Sequence, residues 1–146
     1  MSLRIKRVLP ARIDEVFDAW TDGDLLARWF VCAPNWTASV TCDVRVGGRY
    51  RIEMKEGGEL VGVAEGEYLA IERPRRLVFT WTSDGRTGAG VRDSKVTIEL
   101  FERGESTELT LTHDIAPETA EGRSHHAGWI SCLSSLENTL RRGGST

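Results

Sequence analysis

Cysteine is scarce and unpaired in this sequence. Cys32, Cys42 and Cys132 are an odd number and make no CxxC spacing, so a disulfide framework is not expected. The opening MSLRIKRV lacks the apolar stretch of a secretory signal, and no apolar run approaches the roughly 18 residues that a membrane span needs. A cytoplasmic protein without a membrane span is the expectation. Neither sign of charge is in large excess. The formal net charge is -3 with acidic and basic residues interspersed, which offers no basic patch for nucleic acid, and Arg4, Lys6 and Arg7 read as the solvated edge of a strand. Nucleophile elbow, phosphate loop, dinucleotide fingerprint and metal-ligand spacing are all absent, so no cofactor or metal is expected and no catalytic motif is legible. Repeats and long linkers are absent as well.

What is present fits one domain. A chain of 146 residues can bury roughly 70% of its unfolded surface in a single core, and residues 1–142 read as one unit followed by a frayed tail at 143–146. Leu3 and Ile5 alternate with Arg4 and Lys6, the pattern of a half-buried strand that ends at Pro10. Ile13, Val16, Phe17 and Trp20 then share one helical face, with Asp14 and Glu15 in the first turn, where the helix dipole favours negative charge. After an interruption at 21–23, a second short helix is predicted with Asp24 as N-cap, burying Leu25, Leu26, Trp29 and Phe30. Cys32, beside Pro34, reads as exposed; Cys42 and Cys132 read as small buried apolar residues.

From Pro34 the hydrophobic period changes from 3.6 to 2 and stays there for about 80 residues. Trp36, Ala38, Val40 and Cys42 form one strand face, and Tyr50, Ile52 and Met54 another; Gly57 and Gly58 suit the turn of a hairpin. The strand at about 59–72 has no single phase. Val61, Val63, Leu69 and Ile71 share a parity with Glu65 and Glu67, whereas Gly62, Ala64, Gly66 and Tyr68 take the other, and a bulge near Gly66 would reconcile them. Leu77, Phe79 and Trp81 share a face of the next strand, the glycine-rich stretch 83–90 reads as a mobile hairpin loop, and two further strands present Val96, Ile98 and Leu100, then Leu109, Leu111 and His113.

The last segment, about 117–142, carries Trp129, Leu133, Leu136 and Leu140 at i, i+4, i+7 and i+11, one oily stripe along a long helix. Toward its start the same face offers Gly122, His125 and His126, small or polar where the rest is bulky. Strand, two short helices, about six antiparallel strands and a long helix make an α+β helix-grip arrangement, a curved sheet wrapped around the last helix.

An ordered set of segments adds a resemblance. VFDAWTD (16–22), LARWF (26–30), VGGRYRIEM (46–54), EGEYLAIERPRRLVFTW (65–81), LTLTHD (109–114) and HHAGWISCLSSLENTL (125–140) resemble the activator of heat-shock-protein-ninety ATPase homologue-like family of the START-like (SRPBCC) superfamily. The resemblance runs from about Leu3 to Leu140. It implies a START-like, birch-pollen-allergen-like helix-grip fold with an internal cavity between sheet and long helix that, in the superfamily, binds hydrophobic small molecules. The co-chaperone behind the family name carries an additional domain for gripping the chaperone; this chain looks like the single-domain kind.

The candidate pocket comprises Trp36, Tyr50 and Trp81 from inner strand faces, His113 from the last strand, and Gly122, His125, His126 and Trp129 from the helix. His125 and His126 lie about 100° apart on a helix, unlike the i, i+4 spacing of a helical metal pair. His113 sits on the apolar parity of its strand, where a buried histidine is usually hydrogen-bonded within the core. The expected function is non-catalytic binding of a small hydrophobic or amphipathic molecule between the sheet and the C-terminal helix. Two alternatives are an enzyme of cyclase or hydrolase type using a pocket histidine, and a protein-binding or co-chaperone-like module with a contiguous exposed apolar patch. An exposed sheet edge could also pair two chains as a homodimer.

Overall fold

The structure, a computed structural model, describes residues 2–31, 35–84 and 90–143. The expectations for Cys32, for 85–89 of the loop and for 144–146 of the tail lie outside the described residues. In chain order the elements are β1 (Leu3–Leu9), α1 (Ile13–Thr21), α2 (Gly23–Trp29), β2 (Trp36–Cys42), β3 (Arg49–Glu56), β4 (Glu59–Glu72), β5 (Arg76–Ser83), β6 (Val91–Arg103), β7 (Ser106–His113) and α3 (Ala120–Gly143). The strands form one curved antiparallel sheet in the order β1-β7-β6-β5-β4-β3-β2. The meander from β2 to β7 ends beside β1, and α3 packs on the inner face, which is the expected α+β helix-grip fold.

The inner face is set by complementary sizes across strand pairs. Tyr50, Ile52 and Met54 of β3 pair with Gly66, Ala64 and Gly62 of β4, large against small, so the even-numbered parity of β4 points inward there. The bulge comes at Leu69 rather than at Gly66, because Tyr68 pairs with Phe79 and Ala70 with Val78, leaving Leu69 extra and exposed. Past it, Ile71 pairs with Leu77. Gly66 is small for a different reason. A Cβ there would stand 2.0 Å from the Thr80 carbonyl oxygen, and the Tyr50 hydroxyl donates to that same oxygen at 2.5 Å.

α1 begins where the sequence places it, but the cap of α2 is Asp22, not Asp24. Asp22 has extended backbone angles, and its carboxylate accepts from the N–H groups of Asp24 (2.9 Å) and Leu25 (3.3 Å), while Asp24 lies within the first turn, where the dipole favours it. The Trp29 indole donates to the Ala19 carbonyl at 2.8 Å and so ties α2 to α1. α3 opens at Thr119, whose hydroxyl accepts from the Gly122 N–H at 3.0 Å. Trp129, Leu133, Leu136 and Leu140 are all buried, joined by Cys132. Full burial of each leucine is worth about 1.5–3 kcal/mol before ordering costs, which makes this stripe the anchor of the helix.

Candidate functional site

Four of the expected residues converge where α3 crosses the C-terminal ends of β5 and β7. His125 and Trp129 stand one turn apart on the helix and therefore face the same way. From the sheet, the Trp81 indole donates to Nε2 of His125 at 3.2 Å; from the helix, the Trp129 indole donates to Nδ1 of His113 at 3.1 Å. The two hydrogen bonds run in opposite directions between the helix and the sheet, one to β5 and the other to β7. Ring centroids 5.0 Å apart for Trp81 and Trp129, and 5.3 Å for His113 and His125, complete a packed cluster.

The proton positions follow from the partners. The Ser94 hydroxyl donates to the Trp81 carbonyl at 2.7 Å, leaving its oxygen to accept Nε2–H of His113 at 2.8 Å. His113 is thus the neutral Nε2–H tautomer, and burial, helped by neighbouring His125, pulls its pKa down to about 3. His125 donates Nδ1–H to the Glu121 carbonyl at 2.8 Å, and its Nε2 also lies 3.1 Å from the Ser83 hydroxyl. Burial lowers the His125 pKa against the opposing pull of Glu121. Every ring nitrogen of the pair is engaged, so the cluster works as a clasp between helix and sheet.

A cavity of about 20 Å³ lies to one side of the clasp, lined by Trp20 of α1, Leu26 of α2, Phe30, Tyr50 and Ile52 of β3, Tyr68 of β4, and Leu77, Phe79 and Trp81 of β5. That is room for about one water molecule. Its polar atoms are few. The phenols are those of Tyr50, whose hydroxyl is committed to the Thr80 carbonyl, and of Tyr68. Burial raises the pKa of both phenols, which stay neutral. The indole nitrogen of Trp20 is buried without a hydrogen-bond partner.

The expected pocket residues therefore separate. Tyr50 and Trp81 line the cavity; Trp81, His113, His125 and Trp129 form the clasp. Trp36 is half-buried on β2, His126 is exposed, and Gly122 is buried against the chain before α3, where a Cβ would meet the Ala116 carbonyl oxygen at 2.1 Å. No α3 residue lines this cavity; the two short helices supply that wall instead. Sequence reasoning did not single out Trp20, Leu26, Phe30 or Tyr68 as site residues, although the apolar faces of the two short helices held the first three and the alternation of β4 the last. Ser83 and Ser94, the serine partners of the histidines, had no sequence signal.

Among the described residues no group of three or more His, Cys, Asp or Glu is placed to hold a metal ion, and no helix is long and apolar enough to cross a membrane. Of the exposed large apolar side chains, Val8 and Phe101 both lie opposite Glu108 in the β1–β7–β6 register, while Val46 and Leu69 lie elsewhere.

Solved structures share this architecture. A protein from Chromobacterium violaceum is 26% identical with a TM-score of 0.79, over 94% of this chain and 96% of that one. CalU16 from Micromonospora echinospora is 28% identical with a TM-score of 0.67, over 95% of this chain and 75% of that one. DynU16, described as belonging to the dynemicin biosynthetic locus, is 25% identical with a TM-score of 0.77, over 97% of this chain and 48% of that one. No curated protein matches the chain significantly. Residues 10–141 match the sequence profile of the family described as activator of Hsp90 ATPase homolog 1-like protein, and the chain belongs to that family.

Proposed function

We propose that this protein binds a small apolar or amphipathic molecule, without converting it, in the chamber between the α1–α2 pair and strands β3–β5. The observation that carries this reading is the composition of the chamber. Five aromatic rings besides Trp20 surround a space that no side chain fills. The space is small as it stands, since an apolar cavity of about 150 Å³ is the size that takes benzene. A ligand is therefore admitted by displacement of the walls. The element suited to yield is α2, seven residues long, which contributes Leu26 and leads into Phe30. The clasp on the other side keeps α3 seated while this happens.

The state of the histidines favours binding over catalysis. A general base needs a free lone pair and a pKa near the working pH, whereas both nitrogens of His113 are engaged and its pKa is about 3. Likeness to DynU16, of a biosynthetic locus, is in keeping with a small-molecule partner.

Native mass spectrometry of the protein purified from its own source tests the reading. A retained small molecule, whose removal changes the NMR signals of Phe30, Tyr50 and Phe79, is the expected result. Protein that carries nothing, and whose chamber signals respond to no apolar probe, would sink it.

A further inference from the structure

Resting on that reading, we infer that the ligand presents a neutral hydrogen-bond acceptor, a carbonyl oxygen on an apolar body, to the indole N–H of Trp20. Trp20 ends the buried face of α1, is 3% exposed, and forms part of the chamber wall. Three other buried tryptophans each give their N–H to a partner: Trp29 to Ala19, Trp81 to His125 and Trp129 to His113. Among the described residues, the N–H of Trp20 is the buried side-chain polar atom left without one. Native cores rarely leave a buried donor unmatched, so such an atom calls for an explanation. The Trp29 ring, edge-to-face at 4.7 Å, can offset only part of the deficit, because an N–H to ring contact is weak.

The rest of the wall narrows the chemistry. The hydrogen of the Tyr50 hydroxyl goes to Thr80, and the buried donor left without a partner is that of Trp20. No lysine or arginine lines the chamber, so a carboxylate or phosphate would lose its hydration without gaining a counter-charge. The remaining walls are aromatic and aliphatic, which suits a flat apolar body. An uncharged ketone, aldehyde or ester meets all three conditions. A pure hydrocarbon fails the first.

The test uses two probes of nearly the same shape, acetophenone and α-methylstyrene, in which the carbonyl oxygen is exchanged for a methylene group. Each is titrated into the full-length protein and followed by ¹H–¹⁵N NMR of the indole signals, the Trp20 signal being the one lost in Trp20→Phe. The expected result is that acetophenone binds roughly tenfold more tightly and moves the Trp20 indole proton downfield, as expected when a buried unsatisfied donor gains its acceptor. The Trp20→Phe protein should bind both probes with the preference gone. Equal binding of the two probes by the wild type, or a preference that survives Trp20→Phe, overturns the inference while leaving the chamber as a binding site. Should neither probe perturb the chamber signals, the inference falls together with the proposed function. If Trp20→Phe does not fold, the wild-type comparison decides alone, with the Trp20 signal assigned through its contacts to Phe79.

Discussion

The indole of Trp129 donates to Nδ1 of His113 across 3.1 Å, which fastens the last helix to the last strand through a histidine with no place for a second proton. Nε2–H is already given to Ser94. Protonation at Nδ1 would set two N–H groups against each other inside the core. The neutral form is therefore built into the packing, and burial acts in the same direction.

Stability should fall on acidification through this residue. Its folded pKa, about 3, lies below the unfolded value near 6.5, so between these limits the unfolded chain binds the extra proton. The contribution is complete above about pH 6.5 and is lost progressively toward pH 3, at a slope of up to about 1.4 kcal/mol per pH unit. Urea unfolding of the wild type and of His113→Gln at pH 7, 6, 5 and 4 measures it. The wild type should show the steeper decline, and identical slopes would show that His113 does not titrate on unfolding.

Ser94→Ala removes the acceptor of His113 Nε2–H and also a donor to the Trp81 carbonyl. A loss of about 1–3 kcal/mol is expected from a buried group left unmatched. Ser94→Thr, which keeps the hydroxyl, should recover part of it. Chemical denaturation at pH 7 gives both values.

Two glycines should reverse the usual sign of substitution by alanine. In an unconstrained helix interior Gly→Ala gains about 0.5–1 kcal/mol. At Gly122 the new Cβ would stand 2.1 Å from the Ala116 carbonyl oxygen, so Gly122→Ala should destabilise and loosen the start of α3. Gly66→Ala should also destabilise, since its Cβ would meet the Thr80 carbonyl at 2.0 Å and disturb the hydrogen bond from Tyr50. Thermal unfolding checks both, with hydrogen exchange at 120–124 reporting the helix start.

Leu26→Ala should separate stability from capacity. Leu26 is 4% exposed in the wall contributed by α2, and its truncation is expected to cost about 2–5 kcal/mol. The same change enlarges the chamber, so benzene should bind the variant more tightly than the wild type in an NMR titration. Unchanged binding would mean that α2 does not limit the space.

Much of the fold was legible because its signals are local. The change from period 3.6 to period 2 at Pro34, the apolar faces of α1 and α3, and the two-glycine hairpin between β3 and β4 each depend on residues a few positions apart. Gly57 and Gly58 have φ of 59° and 83°, as such a turn requires. The cap of α2 was misplaced by two residues because Asp22 and Asp24 both suit the role, and backbone angles decide between them.

The order of elements, the oily stripe that seats α3 and the family resemblance could be read from the chain alone, since hydrophobic spacing and ordered motifs survive without coordinates. Tertiary structure alone decided the phase of β4, the partners of the histidines and the position of the chamber. Each rests on residues far apart in the chain: Tyr50 against Gly66, Trp81 with His125 across 44 positions, His113 with Ser94 across 19. The long final helix was expected to wall the cavity through Gly122, His125 and His126. The hydrogen bonds of Trp81 and Trp129 hold it on the sheet, and the chamber lined by Trp20, with its unmatched donor, lies beneath the two short helices.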